Sequence, residues 1–549
     1  MSSRIVDVPG DAAPDSGALT PGLVVLDGYG TGVADIVRLA DGAARPVPGT
    51  EAMKRVEESW DAARRIAATG RVYGRSTGVG ANRNEDVPTE AAADHGLRLL
   101  RSHAGAIGAE LPARQVRAML AVRANQLLAG GAGLRPTIVT ALCEALETGA
   151  YPVVNEFGSV GTGDIAALAQ VGLALAGEHP WREAEPGWRT PGAGGPEADG
   201  QQADGRGPRG PGADGPGAHG SGTDDAPEAQ PLDNNDALAL ISSNALTLGQ
   251  SALALHELRG LIGATQVVAA LSLVAVDGSH EAYAAPVHAA RRHRATAEVA
   301  RRMRELTGAA DRPTPPLGRL QDPYGFRCLP QIHGPALDAA DALEEVLTVE
   351  INAAAENPLI SAEDMAAYHH GGFYQAGLAL ALDHFRLSLT QVARLSTSRL
   401  STLNEPAYTR LRPFLADHEA ASSGVMILEY AAGAALGDLR AFSAPASLGH
   451  AVLSRGVEEQ ASFASLAARQ TLRACDAYRL VVGCELVAAV RALRQRELRP
   501  EPELPVGRAL ELAESVLDAD QTDRPLTDDV TAAAVLLDRF TDIWRGSTA

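Results

Sequence analysis

Pro335-Ala336-Leu337-Asp338-Ala339-Ala340-Asp341-Ala342-Leu343-Glu344-Glu345-Val346-Leu347-Thr348-Val349-Glu350-Ile351 is the stretch whose pattern decides the fold. Leu343, Val346, Leu347 and Ile351 recur at three- and four-residue spacing, which places them on one side of a helix. Pro335, directly after Gly334, suits a first helical position. The next long stretch repeats the device with Leu382, Phe385, Leu389, Val392 and Leu395. Helices this long, apolar on more than one face, pack into a central bundle and often into an oligomer. The most apolar run, Leu261 to Val276, includes Gln266 and Ser272. It is too short to span a bilayer and reads as a buried bundle helix. Composition agrees: the chain is rich in Ala, Leu, Arg and Glu, and aromatics make up 4%. A mainly α protein is expected.

The formal net charge of −20 argues against nucleic acid or an anionic membrane as the main partner. Cys143, Cys328, Cys475 and Cys484 form no C-x-x-C pair and no zinc-like cluster, which points to a reducing, cytoplasmic setting. The N-terminus shows no secretory pattern of a basic stretch followed by an apolar one. Residues 1–20 read as disordered and 21–180 as an N-terminal domain. From 181 to 231 the chain turns to Gly, Pro, Asp and Ala, which cannot repay the entropy of ordering, so it reads as a disordered insertion. Residues 232–500 read as the central helical bundle and 501–549 as a C-terminal helical segment.

Three segments carry candidate chemistry. Tyr73-Gly74-Arg75-Ser76-Thr77-Gly78-Val79-Gly80 has three glycines in eight residues. It is either a plain turn or a loop holding a tyrosine against a ligand. Phe157-Gly158-Ser159-Val160-Gly161-Thr162-Gly163-Asp164 runs into a helical stretch. It is a capped helix entry or, with its free N–H groups and positive dipole end, an electrophilic or anion-stabilising site. Gln321-Asp322-Pro323-Tyr324-Gly325-Phe326-Arg327-Cys328-Leu329-Pro330-Gln331 sets a phenol and a guanidinium three residues apart. Arg327 is suited to bidentate capture of a carboxylate.

In order along the chain, these segments resemble the family of histidine, phenylalanine and tyrosine ammonia-lyases and related aminomutases. Tyr73 to Gly80 resembles its Tyr-Gly-x-x-Thr-Gly-Phe-Gly, with Val79 for Phe. Leu100-Arg101-Ser102-His103-Ala104-Gly105 is similar to the histidine-lyase form of the next segment. Gln321 to Gln331 follows Gln-Asp-Pro-Tyr-Ser-x-Arg-Cys-x-Pro-Gln. Asn357-Pro358-Leu359, Gly371-Gly372 and Pro445-Ala446-Ser447 add anchors.

The resemblance implies a mixed N-terminal domain, a long helical bundle and a homotetramer whose sites draw on several subunits. It implies a carbon–nitrogen lyase, or the related aminomutase, for an aromatic or imidazole amino acid. Tyr73 would be the base and Tyr324 would lie beside the electrophile. His103, Arg327, Gln331, Ser242, Asn244, Tyr374 and Asp438 would face the substrate, with Arg327 on its carboxylate. The family's cofactor is 4-methylidene-imidazol-5-one, made from an internal Ala-Ser-Gly. An unperturbed phenol titrates at about 10, so a basic Tyr73 needs nearby positive potential.

Departures cluster at that site. Gly158-Ser159-Val160-Gly161-Thr162-Gly163-Asp164-Ile165 stands where the family reads Gly-Ser-Val-Gly-Ala-Ser-Gly-Asp-Leu, one residue longer. Leu238-Ala239-Leu240-Ile241-Ser242-Ser243-Asn244 puts Ser242 at an Asn that supports the electrophile's oxygen, unless Asn244 takes over. Asp438 replaces a common Glu, Tyr374 a frequent Phe, and Gly456-Val457-Glu458-Glu459 replaces Asn-Gln-Glu-Asp. Either Gly161-Thr162-Gly163 cyclises to a methyl-substituted analogue, or no cofactor forms. In the second case the tyrosines and Arg327 would perform elimination, addition or cyclisation on a carboxylate-bearing substrate in specialised metabolism. An inactive scaffold is the third reading.

Overall fold

The computed structural model describes residues 22–184, 223, 225–314 and 319–546. Its centre is helix Ala245–Ala275, 31 residues long and buried along almost its whole length. Ala464–Gln495, Leu329–Ile351, Ala376–Leu403 and Thr527–Gly546 pack around it, with Ile427–Phe442 outside on Ala464–Gln495. A helix apolar all round must be enclosed, and this arrangement encloses it. It is also longer than its most apolar run suggested. Among the described residues the stretch Asn234–Ala275 is long and apolar enough to cross a membrane, but 89% of its most apolar window is buried in the bundle.

Leu329–Ile351 begins before Pro335, with Pro330 in its first turn, so Pro335 lies inside the helix. The Tyr324–Arg327 turn leads directly into it and sets the earlier start.

One polar joint pins three bundle helices. Arg399 and Glu485, both fully buried, meet at 2.6 Å (Nε to Oε1) and 2.8 Å (Nη2 to Oε2). Ser272 and Ser396 donate to the same carboxylate. Buried charges persist only when paired and fully hydrogen-bonded in this way.

The N-terminal part is mixed. Strands Gly22–Leu26 and Ala44–Pro48 pair in parallel, and helix Ala113–Leu128 packs on Ala245–Ala275. The ends of the stretch expected as a disordered insertion, 181–184 and 225–231, are structured. Trp181–Glu183 is a strand paired antiparallel to Ala150–Pro152. The Trp181 ring is buried and donates through Nε1 to Ala174 O at 3.0 Å. At the other edge, Gln230 N–H donates to Leu175 O at 2.7 Å. The buried indole, with its N–H satisfied, anchors this strand. Residues 185–222, like 1–21, lie outside the described residues. Trp181→Ala is expected to destabilise the protein by about 3 kcal/mol in urea unfolding, whereas a Gly/Ser linker in place of 185–222 should shift Tm by less than about 5 °C.

Candidate active site

Tyr73 sits at the start of a loop folded back on itself. Ser76 N–H donates to Val72 O, and Thr77 bridges to Asp86. Gly80 N–H donates to the Tyr73 hydroxyl oxygen at 2.8 Å. Burial pushes the Tyr73 phenol up from its ordinary value. The Gly80 amide and Arg83 oppose this, and Glu458 adds to it. Among the described residues, Arg83 and the Gly80 amide do not outweigh burial, so the phenol stays raised. His369 lies edge-on to the Tyr73 ring, with centroids 6.2 Å apart.

The loop that carries His369 is tied down from below. His370 N–H donates to Asn357 Oδ1 at 3.0 Å, and Gly372 N–H donates to His370 Nδ1 at 2.9 Å. That leaves His370 Nε2 as donor to Glu356 O at 2.7 Å. Asn357 N–H in turn donates to Ser242 Oγ, and Asn244 Nδ2 donates to Phe373 O at 2.7 Å. Ser242 Oγ is only an acceptor in that contact and keeps its own hydroxyl proton to donate, whereas the buried Asn244 atom left without a partner is its acceptor, Oδ1. Tyr374, half-buried, ends this loop with its N–H on Gly371 O.

The Gly158–Asp164 loop is held at both ends. Ser159 Oγ accepts from Gly161 N–H and donates to Gly163 O. Ser462 Oγ donates to Gly161 O at 2.8 Å, and Phe463 N–H donates to Val160 O. Gly161 has φ +89°, and a Cβ there would collide with Ser462 Oγ, so only glycine fits. Asp164 is fully buried, and burial pushes its carboxyl up. It accepts from Thr247 N–H at 2.7 Å and Thr247 Oγ1 at 2.9 Å, at the start of helix Ala245–Ala275. Its role is to fasten the loop to the bundle.

The second group lies elsewhere on the chain. Tyr324–Arg327 is one helical turn, fixed by Tyr283 Oη donating to Phe326 O at 2.9 Å. Arg327 Nε donates to Asp322 O, and its guanidinium stacks 4.6 Å over the Tyr324 ring. Tyr324 is 68% exposed. Gln331 and Asp438 are also exposed. His103 ends helix Ala92–His103, with Nδ1 2.9 Å from both Leu99 O and Ser102 Oγ. Among the described residues, no hydrogen bond, ion pair or ring contact joins Tyr324, Arg327, Gln331, Asp438 or His103 to Tyr73. On a single chain Tyr324 and Arg327 pair with each other and not with Tyr73.

Residues 31–515 match the sequence model of the aromatic amino acid lyases. The chain belongs to this family.

The histidine ammonia-lyase of Geobacillus kaustophilus (strain HTA426) is 32% identical over 470 residues, 85% of this lyase and 87% of that protein. In fold, this lyase is similar to the tyrosine aminomutase of Streptomyces globisporus, with a TM-score of 0.82 at 24% identity, covering 96% of this chain and 98% of that one. It is also similar to the ergothioneine-degrading ergothionase of Treponema denticola, with a TM-score of 0.81 at 23% identity, covering 96% and 99%. The mainly α architecture and the carbon–nitrogen lyase class read from the motifs stand. Sequence reading left five residues of the Tyr73 surroundings out of the site: Arg83, His95, Glu458, His369 and Ser454. Glu458 was legible as the retained acid of the degenerate Asn-Gln-Glu-Asp segment. No local pattern marks His369 or Ser454.

Proposed function

We propose that this lyase removes the amine from an amino acid with an aromatic or imidazole side chain, using Tyr73 as the proton acceptor and no methylidene-imidazolone ring. The observation that carries the reading is the Gly80 N–H on the Tyr73 oxygen. A hydrogen bond to the charged form favours phenolate, so a donor already in place prepares the phenol to lose its proton and then act as base. Tyr73 takes a proton from Cβ, the electron pair forms the Cα–Cβ double bond, and the Cα–N bond breaks toward nitrogen. The protonated amine departs as ammonia and leaves an α,β-unsaturated acid.

The residues at the ring position do not fit the family's cofactor. Closure requires Gly163 N to attack the Gly161 carbonyl, which Ser462 Oγ and the tight contact at Gly161 hold in place. The loop is one residue short, Thr162 would leave a hindered alkene, and Ser242 stands where the family has an Asn amide, with Asn244 Nδ2 turned to Phe373 O.

Arg327 is the carboxylate anchor, brought by a neighbouring copy in a homotetramer. The exposed apolar side chains Leu380 and Leu387 on Ala376–Leu403, Ile427 and Tyr430 on Ile427–Phe442, and Leu448 in the turn Ala446–Leu448 support such an assembly. Free cysteines Cys143, Cys475 and Cys484, all buried, agree with a cytoplasmic location.

The test is ammonia release on incubation with histidine, tyrosine and phenylalanine, with the unsaturated acid followed by absorbance. Release from at least one, lost in Tyr73→Phe, is expected; a protein that binds these amino acids and releases no ammonia overturns the reading. Arg327→Met should raise KM about 10- to 100-fold, as loss of a charge-assisted pair implies, and should leave binding of the carboxamide analogue unchanged.

A further inference from the structure

The donor on the Tyr73 oxygen comes from Gly80, in a single three-residue turn, Gly80–Asn82, too short to hold its own geometry. Another part of the chain holds it. Ala81 N–H donates to Ser454 Oγ at 2.9 Å. The approach is close: a Cβ on Gly80 would lie 2.5 Å from Ser454 Oγ and 3.4 Å from Glu458 Oε1, and Gly80 itself has φ +54°.

Ser454 and Arg455 are both left-handed, with φ of 50° and 56°, a conformation that costs non-glycine residues on the order of 1–3 kcal/mol each. Such backbone persists only where surrounding contacts over-determine it. Here Gly456 N–H donates to Leu453 O, and Leu453 N–H donates to Glu458 O at 2.8 Å. The one side-chain hydrogen bond Ser454 makes among the described residues is the one to Ala81.

We propose that Ser454 is a positioning residue for the proton acceptor: its hydroxyl seats the Gly80–Asn82 turn so that the Gly80 amide points at the Tyr73 oxygen. The inference rests on Tyr73 being the base. The charged and titratable groups around that phenol are Glu458, bridged to Leu453, Arg83 from the Tyr73 loop, the edge-on His369, and His95, whose ring reaches the backbone of Gly74 and Thr77. Ser454 is neutral, so replacing it alters none of these charges and acts through the amide alone.

The sign follows from the geometry. The Gly80 N–H stabilises the phenolate, so a turn that drifts away raises the phenol's pKa and moves the rise of kcat/KM to higher pH. The Tyr73 titration is read in the resting full-length protein by ultraviolet difference between each background and its Tyr73→Phe partner, so it needs no turnover.

Ser454→Ala is expected to shift that titration upward by about one pH unit, the effect of losing roughly one hydrogen bond to the charged form. It should lower kcat about tenfold at fixed pH, leave KM within a few fold, and speed hydrogen exchange across residues 78–83. Ser454→Gly relieves the left-handed strain while removing the hydroxyl, and it should show the same titration shift at undiminished Tm. A Tyr73 titration unmoved in both variants overturns the proposal, whether or not exchange changes. Tyr73→Phe with full activity would instead remove the base assignment, and the resting titration would still decide whether Ser454 sets the phenol.

Discussion

Tyr73→Phe is expected to lower kcat about a thousandfold, within the range that a positioned proton acceptor contributes, with KM changed only a few fold. The substitution removes one oxygen and keeps the ring that lies against His369, so packing and loop path should survive. The Gly80 amide loses its acceptor but sits in a partly exposed turn where water can replace it. Glu458→Gln should act in the opposite sense on the phenol. Removing the carboxylate that helps hold its pKa up favours phenolate, so the rise of kcat/KM should move to lower pH. A Tyr73→Phe protein with near-normal kcat would exclude this residue as the base.

The largest structural effect is expected at the buried joint of the bundle. Arg399→Met should destabilise the protein by about 3–5 kcal/mol, because it leaves the Glu485 carboxylate buried with only Ser272 and Ser396 as donors. Glu485→Leu should cost a similar amount through the uncompensated guanidinium, which also donates to Gly325 O at 3.3 Å. The double replacement should be milder than either single one, since it removes both charges together. Urea denaturation with an unchanged m-value measures all three. Simple additivity of the two single losses would mean that the pair does not interact.

The arrangement of the chain shows which physical signals a sequence carries. The helices were legible because Leu343, Leu347, Leu382, Phe385 and Leu389 repeat at the helical period, and each is buried. The start of Leu329–Ile351 was not, because Pro335 reads as a first-turn residue while the preceding Tyr324–Arg327 turn decides where the helix begins. Trp181 was absorbed into a stretch judged by its average composition, although one indole with a partner at Ala174 O suffices to anchor a strand.

At the site, the order of the motifs pointed to Tyr73 and Arg327 but not to their surroundings. Ser454 reaches the Tyr73 loop across a sequence separation of 373 from Ala81, a contact too distant to leave any periodicity, and Glu458 was legible in its motif but not as a neighbour of Tyr73. The sign of the Tyr73 shift was also beyond sequence, since it depends on burial rather than on which charged residues are near in the chain.

The central claim is an ammonia-releasing lyase that works without the ring. Peptide mass mapping of residues 157–170, on the same preparation whose ammonia release has been assayed, tests it most directly. The account predicts a peptide of unmodified mass from an active preparation. A deficit of two waters localised to Gly161-Thr162-Gly163 would contradict it.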